Sequence, residues 1–263
     1  MLIPHKQYAE PSVFTPENLL REARRQKGLP YVTVPAICLL DPDGDIVRHL
    51  VAQNKASRNP YWACYHTDLY DFELNGIHFG VVGCAVGASF AVLVAEEMFA
   101  SGCRLLISIT SAGQIVATRN PPYFILIDKA LRDEGTSYHY LPPSDYSNID
   151  EALLKLFDGA LSTGPIPVDT GATWTTDAPF RETVFAIDKC RELGIIAVEM
   201  ESAALYAFAK AKNKPVICLA HVTNQMASIE GDFEKGAANG SEDALRLLVT
   251  IAQIWQDMEK EQL

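Results

Sequence analysis

Apolar and polar positions fall into blocks along this chain, and the period changes from block to block. Thr15-Pro16-Glu17-Asn18 is a helix start, with Thr15 as N-cap and Pro16 in the first turn, and Leu19, Leu20 and Ala23 carry an apolar stripe on to Gly28. A core strand is predicted over 32–40, ending in the turn-rich Asp41-Pro42-Asp43-Gly44-Asp45. Residues 72–79 predict a hairpin about Asn75-Gly76, a pair suited to a type I′ turn. Its second strand runs on into a small-residue turn (83–89), a helix (90–100) and a buried strand (103–109) closed by a turn, Thr110-Ser111-Ala112-Gly113. Strand, turn, helix, strand is a βαβ unit. Further strands are expected at 123–130, 168–172 and 216–222, helices at 150–161 and 242–258, and a flap over the Gly-, Glu- and Ala-rich 227–241. This alternation predicts an α/β fold with one three-layer domain over 31–263, preceded by an arm and helix at 1–30.

The pattern pivots on Ile195-Ile196-Ala197-Val198-Glu199-Met200-Glu201-Ser202. Four apolar residues predict a short buried strand, and Ser202 reads as the N-cap of a helix over 203–212 whose Leu205, Phe208 and Ala209 face inward. Glu199 and Glu201 thus stand where a strand hands over to a helix, the mouth of an open α/β sheet where ligands bind. A carboxylate accepts two hydroxyl hydrogen bonds at once, which suits a vicinal diol such as ribose. The alternative is that both glutamates only cap the helix. Thr110 and Ser111 can offer hydroxyls and N–H groups to an anion or a sugar, or form an ordinary turn. Trp174 either stacks on a planar base or fills the core; Arg181 either bonds a carbonyl or phosphate or lies on the surface. Asp177 is a further N-cap candidate, and the polar loop 132–140 is rich in donors.

Composition narrows the partners. The 263 residues are 48% hydrophobic with net charge −11, an acidic balance that argues against nucleic acid or an anionic membrane. Six cysteines without CxxC spacing read as free thiols, with no metal site. With no apolar run long enough to span a bilayer and no signal-peptide core, a cytoplasmic location is expected.

Several separated stretches then agree. Val198-Glu199-Met200-Glu201-Ser202-Ala203 resembles the signature of the nucleoside phosphorylase superfamily, its uridine phosphorylase branch in particular; 83–98, 107–113, Asp133-Glu134-Gly135-Thr136-Ser137 and Thr175-Thr176-Asp177 follow in that family's order. The resemblance implies an α/β/α sandwich around a twisted mixed sheet, cleavage of a nucleoside N-glycosidic bond with inorganic phosphate as co-substrate and no other cofactor, and a homo-oligomer, a dimer-based ring such as a trimer of dimers. It implies that Glu199, Met200 and Glu201 hold the ribose, that Gly87, Thr110 and Ser111 face phosphate or water, and that Trp174, Thr175 and Arg181 frame the base. Asn224 stands where purine-cleaving relatives carry an acidic aspartate; an amide cannot protonate a leaving base, which points to a uridine-like pyrimidine or to leaving-group stabilisation by hydrogen bonding alone.

The departures from that pattern lie on the phosphate side. Where the family usually has Gly-Asp-Pro-x-Arg, this chain has Leu40-Asp41-Pro42-Asp43-Gly44; a usual arginine is Ser108; a third has no counterpart between 61 and 75. Arg48, Arg58, Arg119 and Arg181 are the residues that could resupply charge. Three readings follow: a phosphorylase with a rebuilt anion site, an N-ribosyl hydrolase in which water replaces phosphate, and a nucleoside-binding protein without turnover.

Overall fold

The computed structural model describes residues 6–226 and 230–261. In chain order the elements are α1 (Pro16–Lys27), β1 (Ile37–Asp41), α2 (Asp45–Ala52), β2 (Ala56–Arg58), β3 (Tyr70–Leu74), β4 (Ile77–Gly83), α3 (Ala88–Ala100), β5 (Leu105–Gln114), β6 (Tyr123–Asp133), α4 (Ser137–Tyr140), β7 (Tyr146–Asn148), α5 (Glu151–Ser162), β8 (Val168–Thr176), α6 (Val184–Glu192), β9 (Ala197–Glu199), α7 (Ser202–Lys212), β10 (Val216–Asn224) and α8 (Ser241–Glu261). The strands form one mixed sheet with helices on both sides, a single α/β domain. Among the described residues no helix is long and apolar enough to cross a membrane.

β5 organises the sheet. One edge pairs in parallel with β10 from Leu106 to Gly113. The other edge pairs with β1 from Leu105 to Ser108 and only later, at Gly113 and Gln114, with β9 running the opposite way. From β10 the pairing continues through β6 and β8 to β9 and so returns to β5, closing a ring, while β4, β3 and β2 extend the sheet beyond β1. β1 and β10 are buried at every position, as strands covered on both faces must be. Ile109 to Ala112 lie between the two partners of that β5 edge.

Local chemistry sets most element ends. Thr15 Oγ1 accepts the Asn18 N–H at 3.2 Å, and Gly28 closes α1 at φ +66°. Leu20 and Ala23 of α1 bury against Ala63. Asp150 caps α5 through the Ala152 and Leu153 N–H groups. Asn75 (φ +50°) and Gly76 (φ +75°) join β3 to β4 in the left-handed region, as the type I′ turn requires.

Four expectations change. The first strand starts at Ile37, because Pro35 cannot donate to a ladder and disfavours pairing before it. The Asp-rich stretch after it opens α2, which the turn residues concealed: Asp41 accepts the Gly44 and Val47 N–H groups at 3.1 and 2.9 Å and so caps the helix. Thr110 to Gly113 form no turn but continue β5, held by β10. Thr173 to Thr176 likewise continue β8, held by β6 and β9. In β5 tertiary pairing overrides the weak strand preference of Ser and Gly, while in β8 the Thr and Trp residues favour a strand by themselves. Residues 227–229 of the expected flap lie outside the described residues.

Tyr206, fully buried on α7, pins this helix to the sheet. Its hydroxyl donates to the Ile127 carbonyl at 2.6 Å, where the β6–β8 register shifts, and accepts the Cys218 N–H at 3.1 Å. Tyr206→Phe leaves both buried backbone groups without that partner and should cost about 1–3 kcal/mol. A lower denaturant midpoint at unchanged slope would show it.

Candidate active site

Three pieces of chain meet at the gap in the β5 edge: the C-terminus of β1, the loop from β4 to α3, and the β9–α7 junction. The two glutamates of that junction do different work. Glu199, 3% exposed, is the structural one. Its Oε2 accepts the Glu201 and Ser202 N–H groups at 2.7 and 2.8 Å, and its Oε1 accepts the Thr173 and Thr175 hydroxyls at 3.1 and 2.5 Å. Thr175 Oγ1 in turn accepts the Ala203 N–H at 2.9 Å. Glu199 and Thr175 therefore cap α7 in place of Ser202, which is the first helical residue. The capping alternative holds for Glu199, and Thr175, expected at the base, is a buried support for the helix start.

Glu201 is the carboxylate at the gap. Its Oε1 accepts the Gly87 N–H at 2.7 Å and its Oε2 the Thr110 hydroxyl at 2.9 Å, with the Met200 N–H at 3.3 Å. Gly87 holds φ +90° to aim that N–H, a conformation L side chains rarely adopt. Burial first, then the neighbouring Glu199 charge, raise the Glu201 carboxyl to about 7, against the pull of its three donors. Met200 is half-buried beside it.

The residues expected to face phosphate are committed to carboxylates. Gly87 and Thr110 serve Glu201, and the Ser111 hydroxyl donates to Asp43 Oδ1 at 2.9 Å. Asp43 and Asp45 in turn hold Lys235, whose Nζ lies 2.6 Å from Asp45 and 3.5 Å from Asp43, and Arg48 bonds Asp45 at 2.8 Å. Burial works against the Lys235 ammonium, but the bonds and charge of Asp45 and Asp43 outweigh it and raise its pKa. Ser108 Oγ is buried without a partner. Arg58 and Arg119 pair with Asp68 and Asp169, so of the four arginines considered only Arg48 adjoins this cluster. Asp43, Asp45, Lys235 and His221 were missed as site residues. The Asp-Pro-Asp-Gly-Asp string straight after a buried strand was the available signal; Lys235, 190 residues from Asp45, gave none.

On the base side, Trp174 is 4% exposed, packs with Ile115, Ala172 and Val198, and donates its indole N–H to Asp133 at 3.0 Å. It is a core side chain, so the stacking role is withdrawn. Arg181 is exposed in a 3-10 turn (Pro179–Arg181), and Asp177, no N-cap, accepts the Gly135 N–H at 2.9 Å; Thr183 caps α6. Asn224 is buried where β10 meets β5, its Oδ1 accepting the Met226 N–H at 2.9 Å and its amide donating to Thr223 Oγ1 at 3.1 Å. Among the described residues no group of His, Cys, Asp and Glu is arranged to hold a metal.

The Phosphorylase superfamily matches residues 36–253, and the chain belongs to that family. Relatives include a guanosine phosphorylase of Halorubrum lacusprofundi, 22% identical over 62% of this chain and 64% of that protein. A DeoD-type purine nucleoside phosphorylase of Bacillus cereus is 29% identical over 51% and 58%. The chain thus spans about six-tenths of the length of the curated relatives it matches. Among solved structures, uridine phosphorylase from Vibrio fischeri superposes with a TM-score of 0.70 at 18% identity, covering 86% of this chain and 92% of that one. Purine nucleoside phosphorylase from Toxoplasma gondii, in complex with immucillin-H, gives 0.70 at 14%, covering 88% and 93%. At these identities the structures speak for the fold.

The raised Glu201 carboxyl carries a stability signature. Between about pH 4.5 and 7 the native state keeps a proton that the unfolded chain has released, so this residue makes stability fall as pH rises through that window. The full effect is on the order of 3 kcal/mol. Asp41, raised to about 7 by burial, acts in the same direction, and His221, lowered to about 4 by burial, acts in the opposite one. Glu201→Gln should therefore flatten the decline without removing it, read as denaturant midpoints across pH 4–8.

Proposed function

We propose that this chain cleaves the N-glycosidic bond of a nucleoside, with Glu201 gripping the ribose hydroxyls. The observation that carries this reading is the Glu201 carboxylate itself: acceptor-only when ionised, almost fully buried, and aimed by Gly87 and Thr110 at the gap in the β5 edge. The transition state of such a cleavage is oxocarbenium-like, so anchored hydroxyls and nearby negative charge lower its energy. Membership in the family supports phosphorolysis, giving free base and ribose 1-phosphate. The amide of Asn224 supports a uridine-like base, while the curated relatives are named for guanosine and purine nucleosides. Exposed Phe180, Val184 and Phe185, 97%, 76% and 72% accessible, support the expected homo-oligomer. Water as acceptor is the second reading, favoured by one observation: Ser111 is bonded to a carboxylate where an anion would have to bind.

A panel headed by uridine and guanosine, assayed with and without phosphate, tests the reaction class. Glu201→Ala should lower turnover by roughly 10²–10³ or more, with the circular dichroism spectrum unchanged; turnover close to wild type would sink the site. Asn224→Asp supplies the acid that purine release needs. It should raise the guanosine-to-uridine ratio of kcat/KM, and an unchanged ratio would remove Asn224 from base choice.

A further inference from the structure

Two features of the structure lie at opposite ends of α1. Before its first turn stand Val13 and Phe14, 99% and 73% accessible. An apolar residue ahead of an N-cap ordinarily packs onto the first turn, and Phe14 leaves most of its ring free of that contact. The arm that carries it is tied at both ends: Lys6 Nζ donates to the Tyr138 carbonyl at 2.9 Å, and Thr15 caps the helix. At the other end is a groove of about 590 Å³, whose apolar walls include Val32, Pro35, Pro60, Tyr61 and Phe72. Its polar members are bonded to one another, Asn59 to Asp71 at 2.7 Å and His78 to Glu73 at 3.4 Å. Both walls are pinned to the last turn of α1. The Arg24 guanidinium lies over the Tyr31 ring at 4.7 Å, and Lys27 Nζ donates to the Ala63 and Cys64 carbonyls at 2.9 and 2.7 Å. The helix between has 12 residues and is about 18 Å long, so Phe14 cannot reach the groove of its own chain.

We propose that the occupant of this groove is a second copy of the chain: two α1 helices pack antiparallel about a two-fold axis, and Val13 and Phe14 of each copy seat in the groove of the other. This rests on the expected homo-oligomer and names one of its faces, separate in sequence from Phe180, Val184 and Phe185. A two-fold pairing makes every contact twice, so one exposed ring and one groove per chain are enough to close it. Charge supplies an independent reason. α1 carries Glu17 in its first turn and Arg24, Arg25 and Lys27 in its last. Antiparallel packing sets the acidic turn of one helix against the basic turn of the other and opposes the two helix dipoles, whereas parallel packing sets like against like. The exposed side of α1 is polar, with Asn18, Arg21 and Arg25 at helical spacing. The helix pair therefore fixes register, and the buried aromatic ring supplies the affinity. Tyr31 and Tyr61, both exposed beside the groove, are of the residue type that interfaces favour.

Sedimentation of the wild-type chain should show an oligomer at micromolar concentration. Phe14→Asp should weaken self-association roughly tenfold or more with the circular dichroism spectrum unchanged, since the ring is exposed in the single chain. Glu17→Arg and Arg25→Glu should each weaken association and together restore it, a rescue that a change confined to one helix would not give. Phe14→Cys combined with Val32→Cys, oxidised with glutathione disulfide, should give a covalent dimer. A bridge within one chain is out of reach, because a disulfide needs Cα atoms within about 7 Å of each other. The two single substitutions measure the background from the exposed Cys84. An oligomer that Phe14→Asp leaves unchanged, or no covalent dimer above that background, overturns the α1 pairing while leaving the homo-oligomer and the Glu201 reading intact. A wild-type chain that is monomeric at tens of micromolar overturns the pairing and the homo-oligomer together.

Discussion

The structure depends on a single exchange along β5. A strand edge can serve one neighbour at a time, and here β1 gives way to β9 with a short interval between them. In an open α/β sheet such a change of partner leaves a crevice at the strand ends, where backbone groups and helix N-termini are exposed. In this chain the interval is filled by Thr110 and Ser111, whose hydroxyls reach out to carboxylates on either side. Every residue of the candidate site is within one element of that interval, and the closure of β5, β10, β6, β8 and β9 into a ring keeps it from collapsing.

Two carboxylates separated by one residue do different work because their partners differ. Glu199 collects two backbone N–H groups and two hydroxyls, which fix the start of α7. Glu201 has fewer donors and the Glu199 charge nearby, so burial prevails. A rigid support beside a group held near its ionisation point is the usual way to keep an acceptor both well aimed and responsive to a polar ligand.

Much of this was legible in the chain, for local reasons. Thr15, Gly28, Asn75-Gly76 and Asp150 act through neighbours in sequence, so their elements read directly. The strand-to-helix junction with its glutamates read in outline, although β9 starts only at Ala197 and Ser202 is the first helical residue instead of the cap. What did not read was set by partners distant in sequence. β5 and β8 outran their apolar cores because β10 and β6 supply ladder bonds. Trp174 resolved into the core only through Asp133 and a packed cluster drawn from β8, β9, α6 and the loops beside them. The acidic end was half visible as a turn signal, and its meaning came from Ser111, His221 and Lys235.

The hydrogen bonds that brace Glu199 have an evolutionary consequence. They tie the proposed sugar end to strand ladders and a helix start, whereas Asp43 and Arg181 are carried by the stretches after β1 and β8. Loops change without unravelling the sheet. Descendants of such an ancestor can therefore exchange nucleophile or nucleobase by drift in separate stretches of sequence while the pentose grip persists.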